Sequence, residues 1–186
     1  PVLLVHGLGA SMVVWRENVA ALAERFKVYV IDLPGHGDTE KPDIEYDAET
    51  TVEYLRKFIE HLGVDKIALV GNSLGGGLAL MTALAHPEIV SKLALVSSGS
   101  LGREVSIWLR LPSLSVIGEL LIKGPMDSTE FMLRKAFFDR SLATKELVTE
   151  LRRTNRLPGG RDAVLKIIRN FISIWGVKRQ YVRARD

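Results

Sequence analysis

Four short, almost wholly apolar runs recur through the first hundred residues: Val2–Val5, Lys27–Ile31, Lys66–Val70 and Lys92–Val96. Helical patterns lie between them, over Val13–Arg25, Asp47–Leu62 and Leu74–His86. Continuous apolar runs suit strands buried on both faces. A strand–helix–strand rhythm then calls for a parallel sheet, because parallel neighbours are joined by a crossover long enough to hold a helix. The expected fold class is α/β: a doubly wound, mainly parallel sheet of about four visible strands with helices on both faces. The helices carry matching signals. Val19, Leu22, Ala23 and Phe26 follow helical spacing, and Val52, Leu55, Ile59 and Leu62 do so behind Asp47 as N-cap, with Gly63 as the stop. In such a sheet ligands bind at the carboxyl ends of the strands, which is where the chemistry has to be sought.

Three of those strand ends carry motifs. Gly71-Asn72-Ser73-Leu74-Gly75 sits between the third strand and a helix rich in Leu, Ala and Met. A sharp strand-to-helix turn strains the backbone of its central residue, tolerates only small neighbours, and lifts the serine hydroxyl clear of the turn. The helix start beneath it favours developing negative charge. A bare helix N-cap is the competing role for Ser73, but Gly75, Gly76 and Gly77 in the first turn are costly for a cap alone. His6-Gly7-Leu8-Gly9 follows the first strand, and Asp32-Leu33-Pro34-Gly35-His36-Gly37 follows the second.

Three such loops in this order resemble the α/β-hydrolase family, over about residues 1–100. The resemblance implies that Ser73 is the catalytic nucleophile and that the backbone N–H groups of Leu8 and Leu74 form the oxyanion hole. Gly71, Gly75, Gly7 and His6 then shape the elbow and its facing loop. It also implies that His6, His36 and Asp32 hold turns and do not act as bases or acids. No metal or organic cofactor is implied. A serine at the elbow argues against the haloalkane dehalogenase and epoxide hydrolase branches, which carry aspartate there. The form Gly71-Asn72-Ser73-Leu74-Gly75-Gly76 resembles carbon–carbon bond hydrolases of aromatic catabolism. Carboxylesterase and cofactor-free haloperoxidase stay open beside it.

The remaining 101–186 differ in kind. The first hundred residues hold 8 basic and 13 acidic side chains, a balance of −5, and the rest hold 17 and 9, a balance of +8. Solvated helix faces account for that excess, with attraction of an anionic substrate or surface as the sharper alternative. The basic residues lack interleaved aromatic stacking platforms, so nucleic-acid binding is not expected. No run of 18 apolar residues suggests a membrane span. No convincing strand is visible. The expected helices cover Arg103–Leu111, Leu114–Ile122, Asp127–Asp139 with Asp127 and Glu130 as a capping box, Thr144–Arg156, and Asp162 to Trp175. By resemblance, this half is a helical cap over the 1–100 core. Trp108, Leu109, Leu111, Phe131, Phe137, Phe138, Phe171 and Trp175 are candidates to line its pocket, with packing in the cap's own core the favoured role for any single one.

A serine hydroxyl is a weak nucleophile without a base, and the family order is serine, acid, histidine. The chain has histidines only at 6, 36, 61 and 86. His86 lies at the far end of the helix that begins at the serine, about 20 Å away at 1.5 Å per residue. His61 precedes the strand leading to Ser73. The segment Ser97-Ser98-Gly99-Ser100-Leu101-Gly102, where one family variant places its acid, has no carboxylate. The expectation is a hydrolase fragment whose triad acid and histidine lie outside it, nearly inactive alone, acting in the parent protein on a small-molecule carbonyl substrate through an acyl-enzyme. A non-catalytic ligand-binding receptor or pseudoenzyme of the same fold is the alternative. The absence of cysteine suits a reducing, cytoplasmic setting. The chain opens at Pro1 and not at Met, so a leader ahead of it stays open.

Overall fold

A computed structural model describes residues 1–124 and 128–182. Strands β1 (Val2–Val5), β2 (Val28–Ile31), β3 (Ile67–Asn72) and β4 (Val90–Val96) form one parallel sheet in the order β2-β1-β3-β4. Val2 stands beside Val28 on one side and Ala68 on the other. Putting the first strand between the second and third reverses the winding direction there, and the ends of β1 and β3 flank that crevice.

The pleat divides each strand between two layers. Leu3, Val5, Ile67 and Leu69 join a cluster with Val52, Leu55 and Ile59 of helix α2 (Ala48–His61) and Leu78, Ala79 and Met81 of α3 (Leu74–Ala85). Val2 and Leu4 point the other way, onto Trp15 and the half-buried Val19 and Leu22, the last two from α1 (Arg16–Ala23). Leu55 and Ile59 are fully buried, each contributing roughly 1.5–3 kcal/mol. Asp47 caps α2 by accepting from the Thr50 N–H at 2.7 Å, and Gly63 ends it at φ +64°.

Double-sided burial holds for β1 but not for the outermost strand of the chain. Along β4, Ser91, Lys92, Ala94 and Val96 are exposed. That strand has a neighbour on one side only, and α1 covers the other half of its face of the sheet.

The second half corrects the expected boundaries. Helices are α4 (Ile107–Arg110), α5 (Ser115–Gly118) continued by a π-helical turn Glu119–Lys123, α6 (Thr129–Ala136), α7 (Lys145–Asn155) and α8 (Gly160–Phe171). The helix expected from Arg103 begins only at Ile107. The capping box expected at Asp127 lies outside the described residues. A strand pair is present where none was expected: β5 (Ile172–Ser173) and β6 (Gly176–Val177) form an antiparallel hairpin, so α8 stops at Phe171 and not at Trp175. Gly176 is the cause. Its φ of +104° suits glycine, and an added Cβ would lie 3.0 Å from the Arg103 carbonyl carbon. Val177 N–H donates to that Arg103 carbonyl at 3.0 Å, and Lys178 N–H to Phe171 O at 2.9 Å. Ala163, Val164, Ile167, Ile168 and Phe171 of α8 pack into the same cluster as Leu3 and Val5, which brings this half over the carboxyl end of the sheet. No helix among the described residues is long and apolar enough to cross a membrane.

Candidate active site

Ser73 occupies the single residue between β3 and α3 at φ 52°, ψ −115°. That backbone region strains a side-chain-bearing residue, and the surroundings enforce it. Ser73 N–H donates to Val96 O at 2.9 Å, and Ser73 C=O accepts from Gly77 N–H at 3.1 Å and Gly99 N–H at 3.0 Å. Glycines make the turn physically possible. A Cβ on Gly71 would lie 2.6 Å from the Gly75 carbonyl carbon, and one on Gly75 would lie 2.8 Å from the Val5 carbonyl carbon. A Cβ on Gly7 would come within 3.1 Å of the Ser73 Cβ. The loop after β1 therefore rides directly on the serine turn. The Ser73 side chain makes no hydrogen bond to cap α3, so its hydroxyl is not engaged as an N-cap.

The serine opens onto a cavity of about 60 Å³, walled by Leu8, Leu74, Met81, Val105, Leu109 and Phe171 among others. Leu74 begins α3, so its N–H is one of the helix-start donors without an intrahelical acceptor. Leu8 lies outside helix and strand, and no backbone hydrogen bond among the described residues uses its N–H. Both leucines thus present wall and backbone beside Ser73. Of the eight apolar side chains expected to line a pocket, only Leu109 and Phe171 do. Trp108 packs edge-on against Phe131 with centroids 5.2 Å apart, and Phe138 and Trp175 are exposed. The rest of the lining comes from Ile167, Ile168, Ile172, Val177, Tyr181 and Ser100, with Gly77 and Gly99. The apolar spacing of Ile167, Ile168 and Phe171 carried a signal for this. The hairpin residues and Ser100 carried none that marked a pocket.

His6 and His36 are engaged in hydrogen bonds of their own. His6 is fully buried, with Nδ1 2.8 Å from Gly7 O and Nε2 accepting from Leu33 N–H at 3.1 Å. The ring is therefore neutral with its proton on Nδ1, and both nitrogens are occupied. Burial holds its pKa below the usual histidine value, against the opposing pull of the Gly7 carbonyl and of Asp32. Asp32 Oδ1 stands 3.8 Å from His6 Nε2, yet that nitrogen is an acceptor, so the pair is no ion pair. The Asp32 carboxylate instead accepts from Met12 N–H at 2.6 Å and Asp38 N–H at 3.0 Å. His36 packs on His6 with ring centroids 5.0 Å apart, and Nδ1 lies 3.2 Å from Pro34 O. Burial, aided by the neighbouring His6, pushes its pKa down to about 3. His86 pairs at 3.5 Å with Glu88, beyond the far end of α3. His6, Asp32 and His36 thus bond mainly to main-chain groups of the loops after β1 and β2.

The family model for the alpha/beta hydrolase fold matches residues 1–121. The chain is 40% identical over 109 residues to a 2-hydroxy-6-oxo-6-(2'-aminophenyl)hexa-2,4-dienoic acid hydrolase of Metapseudomonas resinovorans, covering 56% of this chain and 38% of that one. It is 38% identical over 96 residues to a soluble epoxide hydrolase of a Corynebacterium species, covering 52% and 34%. Among solved structures, a meta-cleavage product hydrolase from Pseudomonas fluorescens, a serine-to-alanine variant complexed with acetates, superposes with a TM-score of 0.76 at 25% identity, over 97% of this chain and 67% of that one. The chain spans about half the length, 45%, of the first curated relatives it matches. With a parallel sheet, a strained serine turn and this match over most of its length, the chain belongs to the α/β-hydrolase fold family.

Proposed function

We propose that the protein is a serine hydrolase that cleaves an ester or an activated carbonyl or C–C substrate through an acyl-enzyme on Ser73. One observation carries this reading: Ser73 is held at φ 52°, ψ −115° with its hydroxyl off the helix and facing an apolar cavity. Strain of this kind costs on the order of 1–3 kcal/mol and persists where surrounding structure insists on it. In this reading Ser73 Oγ attacks the carbonyl carbon of a small-molecule substrate. The oxyanion is received by the Leu8 and Leu74 N–H groups. A histidine outside these 186 residues takes the serine proton and passes it to the leaving group, oriented by a carboxylate that also lies outside them. Water then releases the acyl group. Residues 101–186 act as a cap over the 1–100 core.

The relative from Metapseudomonas resinovorans is named as a hydrolase of a hydroxy-oxo-dienoic acid, which supports a carbonyl substrate and the C–C or ester class. The epoxide hydrolase relative is less apt as a guide to chemistry, because that branch uses an elbow aspartate where this chain has serine.

The test is covalent labelling. The full gene product carrying these residues, treated with a fluorophosphonate, is expected to be modified at Ser73, and Ser73→Ala is expected to remain unlabelled. The isolated 186-residue chain is expected to turn over activated esters no faster than its Ser73→Ala form. A second reading, a ligand-binding receptor without turnover, draws on the engagement of His6 in turn-holding hydrogen bonds. It predicts ligand binding with no labelling of Ser73 in the full product.

A further inference from the structure

The wall of the Ser73 cavity is almost entirely hydrocarbon, and its polar side chains are Ser73, Ser100 and Tyr181. Ser100 is the anomaly. It is 2% exposed, and among the described residues its Oγ has no hydrogen-bond partner. The short hydroxyls nearby are placed differently: Thr82 donates to Leu78 O at 2.8 Å, and Ser98 Oγ accepts from Ser100 N–H at 3.5 Å. A buried hydroxyl without a partner is costly, and folded proteins keep few of them.

The segment that carries Ser100 is tied to the serine turn. Gly99 N–H donates to Ser73 O at 3.0 Å, tying the segment after β4 to the serine itself. Ser97 sits at φ 47°, a second strained residue of this strand-end segment. Opposite Ser100 stands Gly77, also a cavity residue, where an added Cβ would lie 2.5 Å from the Ser100 Oγ. The bare Cα of Gly77 is thus what makes room for the hydroxyl, one helical turn from Ser73. A serine hydroxyl swings between staggered positions about a single bond, so the same oxygen can turn from Gly77 toward a molecule in the cavity.

We infer that Ser100 is a specificity-determining residue: its hydroxyl is the hydrogen-bonding point of an otherwise apolar substrate pocket, and it selects substrates whose chain carries an oxygen function, keto or hydroxyl, within a few bonds of the carbonyl that Ser73 attacks. The inference rests on the hydrolase reading of Ser73. An entirely apolar chain would leave the Ser100 hydroxyl buried and unpaired in the complex as well, and sites built to pair a polar group discriminate strongly against ligands that lack it.

The experiment compares p-nitrophenyl pentanoate with its 4-oxo analogue on the full gene product and on Ser100→Ala. The unmodified protein is expected to favour the oxo ester in kcat/KM, and Ser100→Ala to reduce the oxo-to-plain ratio about tenfold. A ratio unchanged by Ser100→Ala, with hydrolysis of both esters retained, overturns the inference and leaves the hydrolase reading intact. If the unmodified protein hydrolyses neither ester and Ser73 resists fluorophosphonate, it is the hydrolase reading that has failed. Thermal unfolding without ligand gives an independent check. Removing an unpaired hydroxyl is expected to raise the melting temperature of Ser100→Ala by about 2–4 °C. A fall of that size would mean the hydroxyl is a structural bond-maker, and would overturn the inference.

Discussion

The serine turn and the histidine corner stand at the ends of neighbouring strands, and they use polar side chains in opposite ways. At the corner, His6, His36 and Asp32 are buried and their polar atoms go mostly to main-chain groups: Gly7 O, Leu33 N–H, Pro34 O, Met12 N–H and Asp38 N–H. At the turn, the main chain of Ser73 is bonded on both sides while its side chain leaves α3 uncapped. Histidine and aspartate beside a serine suggest a triad by residue type alone. The hydrogen bonds separate the two: the corner's groups bond mainly to loop backbone, while the Ser73 side chain makes no capping bond and lines the cavity.

The largest effect should come from breaking the close approach that joins the two regions. Gly75 packs against the carbonyl of Val5, with an added Cβ 2.8 Å from its carbon. These atoms are backbone of a central strand and cannot swing away. Gly75→Ala is expected to cost about 3 kcal/mol or more in urea unfolding, or to prevent folding. Gly102 has open space around it, so Gly102→Ala should stay within about 0.5 kcal/mol. Equal effects from the two substitutions would show that the contact at the turn is not the constraint.

Acid should break the corner next. Burial lowers the folded-state pKa of both His6 and His36, so below about pH 6.5 the unfolded chain takes up protons that the folded chain refuses. The stability from keeping these rings neutral is fully present above pH 6.5. It is lost as pH falls from there toward about 3, the folded value of His36. Each histidine contributes up to about 1.4 kcal/mol per pH unit in that window. Urea midpoints measured from pH 7.5 to 4.5 should therefore decline only below about 6.5. His36→Asn should flatten the slope by one proton's worth. A slope unaltered by that substitution would place the acid sensitivity elsewhere.

The serine turn should respond with the opposite sign. Glycine accepts φ 52° without a Cβ penalty, so Ser73→Gly is expected to abolish any covalent labelling and to raise stability by about 1 kcal/mol. Loss of stability instead would mean that the hydroxyl is bonded in the folded state.

These contrasts also explain what was legible in the chain. The strands and the serine turn could be read because their signals are local: Val2–Val5 is one apolar run, and Gly71, Ser73 and Gly75 sit five residues end to end. Burial on both sides of β4 was misread because it depends on what packs over Lys92, Ala94 and Val96, and the run itself holds no information on that. The hairpin at Ile172–Val177 was missed because its cause is distant: Gly176 and Val177 are arranged around the carbonyl of Arg103, more than 70 residues away. Most of the candidate aromatic residues lie away from the pocket for a related reason. Trp108 and Phe131 find each other, and the cavity is lined by Ile167, Ile168 and Phe171 of α8 in their place. Ser100 shows the same limit at one atom, since its significance lies in a bond it does not make.

The smallest expected effect concerns how the helical half is held over the serine. Asn155, the last residue of α7, donates from Nδ2 to Gly9 O at 2.9 Å, one residue beyond the proposed oxyanion donor Leu8. Gly9 itself sits at φ +66° in a turn closed by Ala10 N–H donating to Gly7 O at 3.2 Å, and the Asn155 bond ties that turn to α7. A single neutral hydrogen bond of this kind contributes about 0.5–1.5 kcal/mol, and Asn155→Ala should lower stability by no more than that. Its effect on chemistry should be of another kind. If the Leu8 N–H receives the oxyanion, loosening Gly9 shifts that donor relative to Ser73 and lowers kcat for an activated ester several-fold with little change in KM, because the contact is made in the transition state. A rise in KM at constant kcat would instead mean that Asn155 shapes substrate entry, and that the loop after β1 keeps its geometry through the Gly7–Ser73 contact alone.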